Sequence, residues 1–509
     1  MKKIHMLFAA AMAAFSMSAT AGGLLTNTNQ NIRFNRMFAR NGTIGIDGVY
    51  SNPAGVAFLS NGLHLSLNNQ SAFQTRTIWS GLEVKGMEGT PYHRPFTMNG
   101  GDENGIKKFK GEASVPFIPS VQAAYNLDKW GFQAGFSIAG GGGKCTFNHG
   151  LGSFERTVSM LPMALAKFGL TSDAPSYSVE SYLMGRQYVF GFQLGATYKI
   201  TPDLAVYGGF RFNYITNKYE GNIRNITANI GGQNENVYNY LGLMSTQLAD
   251  GIERLALAAL KEENEAVRQA YEQKIQELTI QQRTVAGAQA MVADRYLDCT
   301  QTGWSIAPII GIDYRWNKWN FAARYEFTSR CNIENDTKID DTGLFADGVN
   351  TPGDLPGLIS LGAQYEILPN LRAAVGYHYF LDKHTHMADN KQKLLKGNTQ
   401  EFLAGIEYDI TDAIQVSVGG QKTNYGLGDG AYLSDMSFVT SSYSLGFGAG
   451  IKVAKNATVN VAYFWTTYDN FKKSYDQTVE LAGNKIETAC TDEFTRTNKV
   501  FGIGLDLDF

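Results

Sequence analysis

Ten residues from Leu358 to Ile367 alternate without a break. Ile359, Leu361, Ala363, Tyr365 and Ile367 share one face, and Ser360, Gly362, Gln364 and Glu366 share the other. Strict period-two patterning is that of a strand whose two faces meet different surroundings. A single strand of this kind also suits a soluble sandwich, but the pattern recurs. Phe402, Ala404, Ile406, Tyr408 and Ile410 form one such face, and Tyr443, Leu445, Phe447, Ala449, Ile451 and Val453 another. Val459, Val461, Tyr463 and Trp465 follow, and the chain ends on Phe501, Ile503, Leu505, Leu507 and Phe509. None of these faces carries a charge. Lipid imposes that rule, because Lys or Arg at the bilayer midplane costs about 2–4 kcal/mol.

The connections alternate too. Short turns at 128–129, 201–203, 317–318, 368–370, 411–412 and 455–456 separate long polar stretches at 79–112, 146–178, 219–302, 331–356, 382–398, 425–438 and 469–494. Short turns on one side and long loops on the other are the arrangement of outer-membrane barrels, with the turns and both termini periplasmic. Segment counting predicts fourteen antiparallel strands, near 62–77, 114–127, 131–145, 180–200, 204–218, 303–316, 319–331, 357–367, 371–381, 399–410, 413–424, 440–454, 457–468 and 496–509. The expected fold is therefore all-β, a closed transmembrane barrel over 61–509. The composition agrees: 26 Tyr, 30 Phe and 55 Gly occur without any apolar run of helix-spanning length after Ala21. A net charge of −3 gives no reason to expect a nucleic-acid partner.

Lys2, Lys3, the apolar stretch from Ile4 to Phe15 and Ala19-Thr20-Ala21 read as a signal peptide over 1–21. The expected location is the outer membrane of a Gram-negative bacterium. Residues 22–60 do not alternate. They mix Phe34, Met37 and Phe38 with Arg33, Arg36 and Arg40, then turn residues, and a disordered tail is usually poorer in large apolar side chains. A compact hatch inside the barrel is the expectation.

Asn52-Pro53-Ala54, set in Tyr-Ser-Asn-Pro-Ala-Gly-Val-Ala-Phe-Leu before the first strand, resembles the Asn-Pro-Ala motif of the FadL/TodX family. Leu355-Pro356-Gly357 leading into Leu361-Gly362-Ala363-Gln364-Tyr365, and Val115-Pro116-Phe117-Ile118-Pro119, resemble further segments of that family. The resemblance implies a fourteen-stranded barrel with an N-terminal hatch. It implies passive uptake of long-chain fatty acids or hydrocarbons, caught at extracellular loops and released sideways at the third strand. A monomer in outer-membrane lipid is expected, with Phe509 resembling the terminal signal read by the outer-membrane assembly machinery. A general porin, or a surface receptor or adhesin, is the alternative.

No catalytic, cofactor or metal site is expected. Inward parity singles out Arg211, Arg324 and Arg372, each either paired with a lumenal acid or available for a fatty-acid head group. The tail would lie against Phe34, Phe38, Ile309, Phe380 and Leu403. The run Gly140-Gly141-Gly142-Gly143 in the third strand predicts a bulge or kink, hence a lateral gate. Four cysteines in an exported chain predict disulfides, Cys299 with Cys331 and Cys145 with Cys490. The loop at about 240–298 is rich in helix formers, with Leu241, Met244, Leu248, Ile252 and Leu255 at helical spacing and a break expected near Gly287. That stripe either packs over the barrel mouth or forms a capture groove with Phe154, Val158, Met160, Leu161 and Phe168.

Overall fold

The computed structural model describes residues 24–170, 174–481 and 484–509. The expected signal peptide, with Gly22 and Gly23, lies outside the described residues. One antiparallel sheet of 18 strands closes on itself. Fourteen of these strands form the wall. They are β1 (Gly62–Val84), β2 (Ile106–Leu127), β3 (Trp130–Phe147), β4 (Tyr177–Thr201), β5 (Leu204–Ile230), β6 (Arg295–Trp316) and β7 (Trp319–Glu326). The rest are β8 (Leu358–Leu368), β9 (Leu371–Phe380), β10 (Gln400–Thr411), β11 (Ile414–Asn424), β12 (Ser442–Ala454), β13 (Ala457–Tyr468) and β14 (Asn484–Asp508). Each pairs with its sequence neighbours, and β1 pairs with β14 from His64↔Asp508 to Val84↔Thr488, which closes the ring.

The outer face is apolar and open to the surroundings. Leu361, Val375, Phe402, Ile406, Phe447 and Phe501 are all among the exposed large side chains. Near the short turns, Trp130 packs on Tyr198 at 4.8 Å and Trp319 on Tyr365 at 4.5 Å between ring centres, as in the aromatic girdle of a membrane barrel.

Several strands run much longer than the alternation indicated. β5 has 27 residues and β14 has 25, against the roughly 9–11 needed to cross a bilayer. Above the apolar band the outer face is polar, while the inner face packs against the loops through Leu183, Tyr219, Ile223 and Phe494, so pairing continues beyond the lipid-facing alternation. Strands 332–340 and 471–481 add onto β6 and β14 at this level.

The helical loop is a hairpin, α1 (Val237–Lys261) and α2 (Glu265–Met291). The break falls at 262–264 and not at Gly287, which lies within α2. Asn264 decides this: its side chain accepts from the amides of Ala266 and Val267 and starts a new helix. Leu241 is buried in the main cluster, with Met244 and Leu248 packed against it. Phe154, Val158 and Leu161 lie in that cluster and Met160 in a neighbouring one, while Phe168 is exposed. Leu241, Phe154, Val158 and Leu161 thus form core packing, and Met160 also borders a cavity.

All four cysteines are buried free thiols, which corrects the expected disulfides. Cys299 is in register with Thr337, whereas the Cys331 sulfur stands beside Gly303. That offset along β6 is roughly 13 Å at ~3.3 Å per residue, beyond the ~4.4–6.8 Å that a bridge allows between Cα atoms. Cys145 pairs with Ala113, which is level with Gln74 of β1, whereas Cys490 is level with Leu82. That separation is roughly 27 Å along the strand.

Candidate functional site

Residues 24–59 sit inside the ring, tied to wall strands on every side. Asn31 caps a short helix, Ile32–Arg36, by accepting from the Arg33 amide. Ion pairs then fix the segment: Arg33 to Asp506 at 2.8 Å, Arg36 to Glu407 at 3.6 Å, and Arg40 to Glu407 at 2.9 Å and Asp47 at 2.7 Å. Glycine on the wall lets the backbones touch. A Cβ at Gly419 would stand 2.7 Å from the Phe38 nitrogen, so β11 could carry no side chain there.

The Asn-Pro-Ala motif is a structural joint. Asn52 Nδ2 donates to Asp313 of β6 at 2.5 Å and to the Thr43 carbonyl at 3.1 Å, while its Oδ1 accepts from the Gly55 amide. The Pro53 carbonyl accepts from Gln133 at 2.7 Å, and Ala54 packs with Tyr207 and Ile309.

The three lumenal arginines are occupied. Arg211 and Arg324 both face the Tyr50 ring, at 4.9 and 4.4 Å from its centre, and both pair with Glu326 at 3.0 and 3.5 Å. Arg324 also donates to the Tyr50 carbonyl. Arg372 is paired with Asp409 at 2.7 Å, near the turn joining β10 to β11. Phe34, Phe38 and Leu403 belong to one cluster between hatch and wall, and Phe380 stands edge-on to His378 at 6.0 Å. Neither these seven residues nor Ile309 lines the large cavity among the loops. Parity placed the wall residues among them correctly on the inner face, but it carries no information about height along the barrel or about what the hatch occupies.

That cavity lies among the long loops. It has a volume of about 550 Å³, and its apolar surface includes Leu25, Ile215, Phe345, Leu355, Met387 and Met436. Two lysines reach it, one from a loop turn and one from the added strand 471–481. Lys391, on the 3-10 turn Ala388–Leu394, stands 4.7 Å from the centre of the Tyr432 ring. Lys473 donates to the Leu433 carbonyl at 2.9 Å. Burial, with the charge of Lys473 beside it, pulls Lys391 down to about 8. Burial lowers Lys473 as well. Arg156 shares the cavity but is held by Asp492 at 2.6 Å. Sequence reasoning missed both lysines, because each lies in a polar stretch outside the lipid-facing alternation, where a cation has no pattern to betray it.

The cavity floor meets the kinked strand. β3 shifts register against β4 between Ile138 and Gly140 and again between Gly141 and Gly143. Gly141 and Gly143 take φ of 72° and 93°, which a β-branched residue avoids. On the other side of β3, pairing with β2 stops at Ala113↔Cys145 and resumes only at Val121↔Phe136. The unpaired stretch of β2 contains Pro116 and Pro119, which have no amide to donate to a ladder. The start of the hatch docks here. The Asn27 amide donates to the Ala139 carbonyl at 2.8 Å, and its Nδ2 to Gly141 at 2.7 Å and Ile138 at 3.3 Å. Leu25 belongs both to the cavity floor and to the wall of Gly140, where its carbonyl leaves no room for a side chain. Val115, Ile118 and Ile138 at this seam share a cluster with Phe34 and Phe38, with Tyr188 and Phe190 packed against it.

No family model and no curated protein matches the sequence. Solved structures do resemble the fold. A Pseudomonas aeruginosa FadL homologue superposes with a TM-score of 0.58 at 11% identity, over 96% of this chain and 100% of that one. The P. putida toluene transporter TodX aligns at 12% identity and a TM-score of 0.48, over 91% of this chain and 94% of its own. At such identity the first likeness speaks for architecture, and the second adds nothing to it. Together with the closed ring of fourteen wall strands and the ordered segment inside it, the comparison shows that this chain has the FadL-type fold.

Proposed function

We propose that this protein is an outer-membrane channel for passive uptake of hydrophobic ligands, and that its ligands are long-chain amphiphiles with an anionic head, such as fatty acids. One observation carries the reading: an apolar cavity on the loop side shares Leu25 with the hatch segment docked in the unpaired β2–β3 seam. A ligand in the cavity would place its tail against Leu355, Met387 and Met436 and its head near Lys391 and Lys473. Displacement of Leu25 and Asn27 would then open the way to the seam, where Val115, Ile118 and Tyr188 give an apolar path into the bilayer. The long loops face the exterior and the short turns the periplasm. A general porin needs an open aqueous lumen, and the packed, ion-paired hatch argues against one.

The test is ligand binding followed by transfer. Purified protein should bind a fluorescent sixteen-carbon carboxylate and release it to competing oleate, and proteoliposomes should take it up faster than protein-free vesicles. Steady ion conductance comparable to that of a porin, with no carboxylate binding, would reject the reading.

A further inference from the structure

The outer surface of β3, β4 and β5 carries three cations in one row. Lys144 is directly opposite Arg186, and Arg186 is directly opposite Lys218. All three point outward, since the inward positions of β5 are Asn213, Ile215 and Asn217 and those of β4 include Val189 and Gln193. Like charges facing each other across neighbouring strands are unfavourable, so a ladder of three needs anions. Lys218 has them: it donates to Asp298 and lies 3.5 Å from Glu220. Glu112 on the adjoining strand is taken by Lys110 at 2.5 Å. Lys144 and Arg186 are exposed and enter no ion pair among the described residues.

The height of this row is informative. From Tyr198 in the lower aromatic girdle to Arg186, β4 climbs roughly 28 Å along the barrel axis, taking ~3.3 Å per residue and ~45° of tilt. The apolar band of a membrane barrel is ~25 Å tall. Lys144 and Arg186 therefore stand at the head-group level of the leaflet on the loop side. Directly below them the lipid-facing surface is aromatic. Phe136, Phe190 and Tyr188 pack in a row, with 6.4 and 5.7 Å between successive ring centres. Phe117 is 67% exposed beside the unpaired seam.

We propose that Lys144 and Arg186 form a binding site for the phosphate of an outer-leaflet glycolipid, whose acyl chains lie along Phe136, Phe190 and Phe117. A guanidinium matches a phosphate bidentately, and an adjacent ammonium supplies a second charge. The site holds one lipid next to the β2–β3 seam, at the point where a ligand leaving the lumen would enter the membrane. It rests on the orientation proposed above, with the long loops outside. It does not depend on what the lumen carries.

The test is lipid retention, read by native mass spectrometry of the full-length barrel after exchange into neutral detergent, with bisphosphorylated lipid A added as the probe. Wild-type protein is expected to retain one lipid A, and the Lys144→Ala, Arg186→Ala double variant at least tenfold less. Dephosphorylated lipid A should not be retained by either. A Lys422→Ala, Lys499→Ala variant, which removes outward cations elsewhere on the wall, should behave as wild type. Should the alanine double variant fail to fold, as judged by heat-modifiable migration, Lys144→Gln with Arg186→Gln replaces it. Unchanged retention by the folded double variant overturns the site, and equal retention of phosphatidylglycerol overturns its assignment to a glycolipid. Because uptake is not the readout, a barrel that transports nothing hydrophobic yet holds lipid A would reject the proposed function and leave this inference standing.

Discussion

Two seams of the same wall, β4–β5 and β2–β3, were built in opposite ways. β4 and β5 pair from Tyr177↔Ala228 down to Thr201↔Leu204, interrupted only at Ser178/Glu180 and Lys199/Thr201 near the ends. β2 and β3 pair at top and bottom and are unpaired between. The sequences explain the contrast. The middle of β4–β5 alternates Phe192 and Leu194 outward with Val189 and Gln193 inward, so every position has a side chain suited to its face. The middle of β2–β3 sets Pro116 and Pro119 against the run Gly140–Gly143, which removes donors from one strand and side-chain packing from the other. A barrel must normally pair every backbone group in lipid. Here the hatch supplies part of what is missing, because Asn27 bonds to three carbonyls of β3. The weak seam is thus completed from inside by the hatch segment.

The strongest way to break this arrangement is to release the hatch from the far wall. Glu407→Ala leaves the buried guanidinium of Arg40 without one of its two carboxylates and Arg36 without its ion-pair partner among the described residues. Breaking such a pair typically costs about 3–5 kcal/mol. The wall should remain folded while residues 24–59 become protease-sensitive, which limited proteolysis with mass mapping would detect. A hatch that stays resistant would mean that packing alone holds it.

Gly140→Val attacks the seam itself. The side chain meets the Leu25 carbonyl and Val189, an overpacking worth about 1–3 kcal/mol. Backbone of the hatch already occupies the place that side chain would take. The expected outcome is displacement of Leu25 and Asn27, seen as faster amide exchange over 24–30 with unchanged exchange in β4–β5. Equal acceleration in both seams would remove the distinction between them.

Lys391→Met should weaken binding of a sixteen-carbon carboxylate roughly tenfold, about 1.4 kcal/mol, and leave the corresponding alcohol unaffected. In the folded protein Lys391 titrates at about 8, and a bound carboxylate favours its charged form. Carboxylate affinity should therefore hold below pH 8 and fall as the pH rises through it, whereas alcohol affinity stays flat. Isothermal titration at pH 7 and pH 9 checks the sign, and a pH-independent carboxylate affinity would exclude Lys391 as the head-group partner.

The smallest effect is expected from replacing 237–291 with a short Gly-Ser linker. The hairpin contributes only Val237, Leu241, Ala259 and Val285 as buried apolar residues, and it rises from the continuous β5–β6 side of the wall. Barrel assembly and the shielding of the β2–β3 seam should persist, judged by heat-modifiable migration and by exchange over 24–30. Deprotection of 24–30 in this variant would show that the hairpin, and not Asn27, keeps the seam closed.

The sequence determined the wall. Charge-free alternate faces at Leu361, Phe402, Phe447 and Phe501 follow from a local rule, since each residue meets lipid or not according to its own parity. The number of wall strands, their order and the turns between them could be read from that rule. So could the register break at Gly140–Gly143, because glycine acts on its own backbone. Three-dimensional packing decided what the inside does. Arg211, Arg324 and Arg372 were correctly placed on the inner face, yet Tyr50, Glu326 and Asp409 claim them. Lys391 and Lys473 are brought to one cavity from positions 82 residues apart in the chain. The cysteine positions in sequence did not fix exact height, and height is what keeps Cys299 from Cys331. Parity is a property of single strands and survives in sequence, whereas height and occupancy arise only when the ring closes and a second segment fills it.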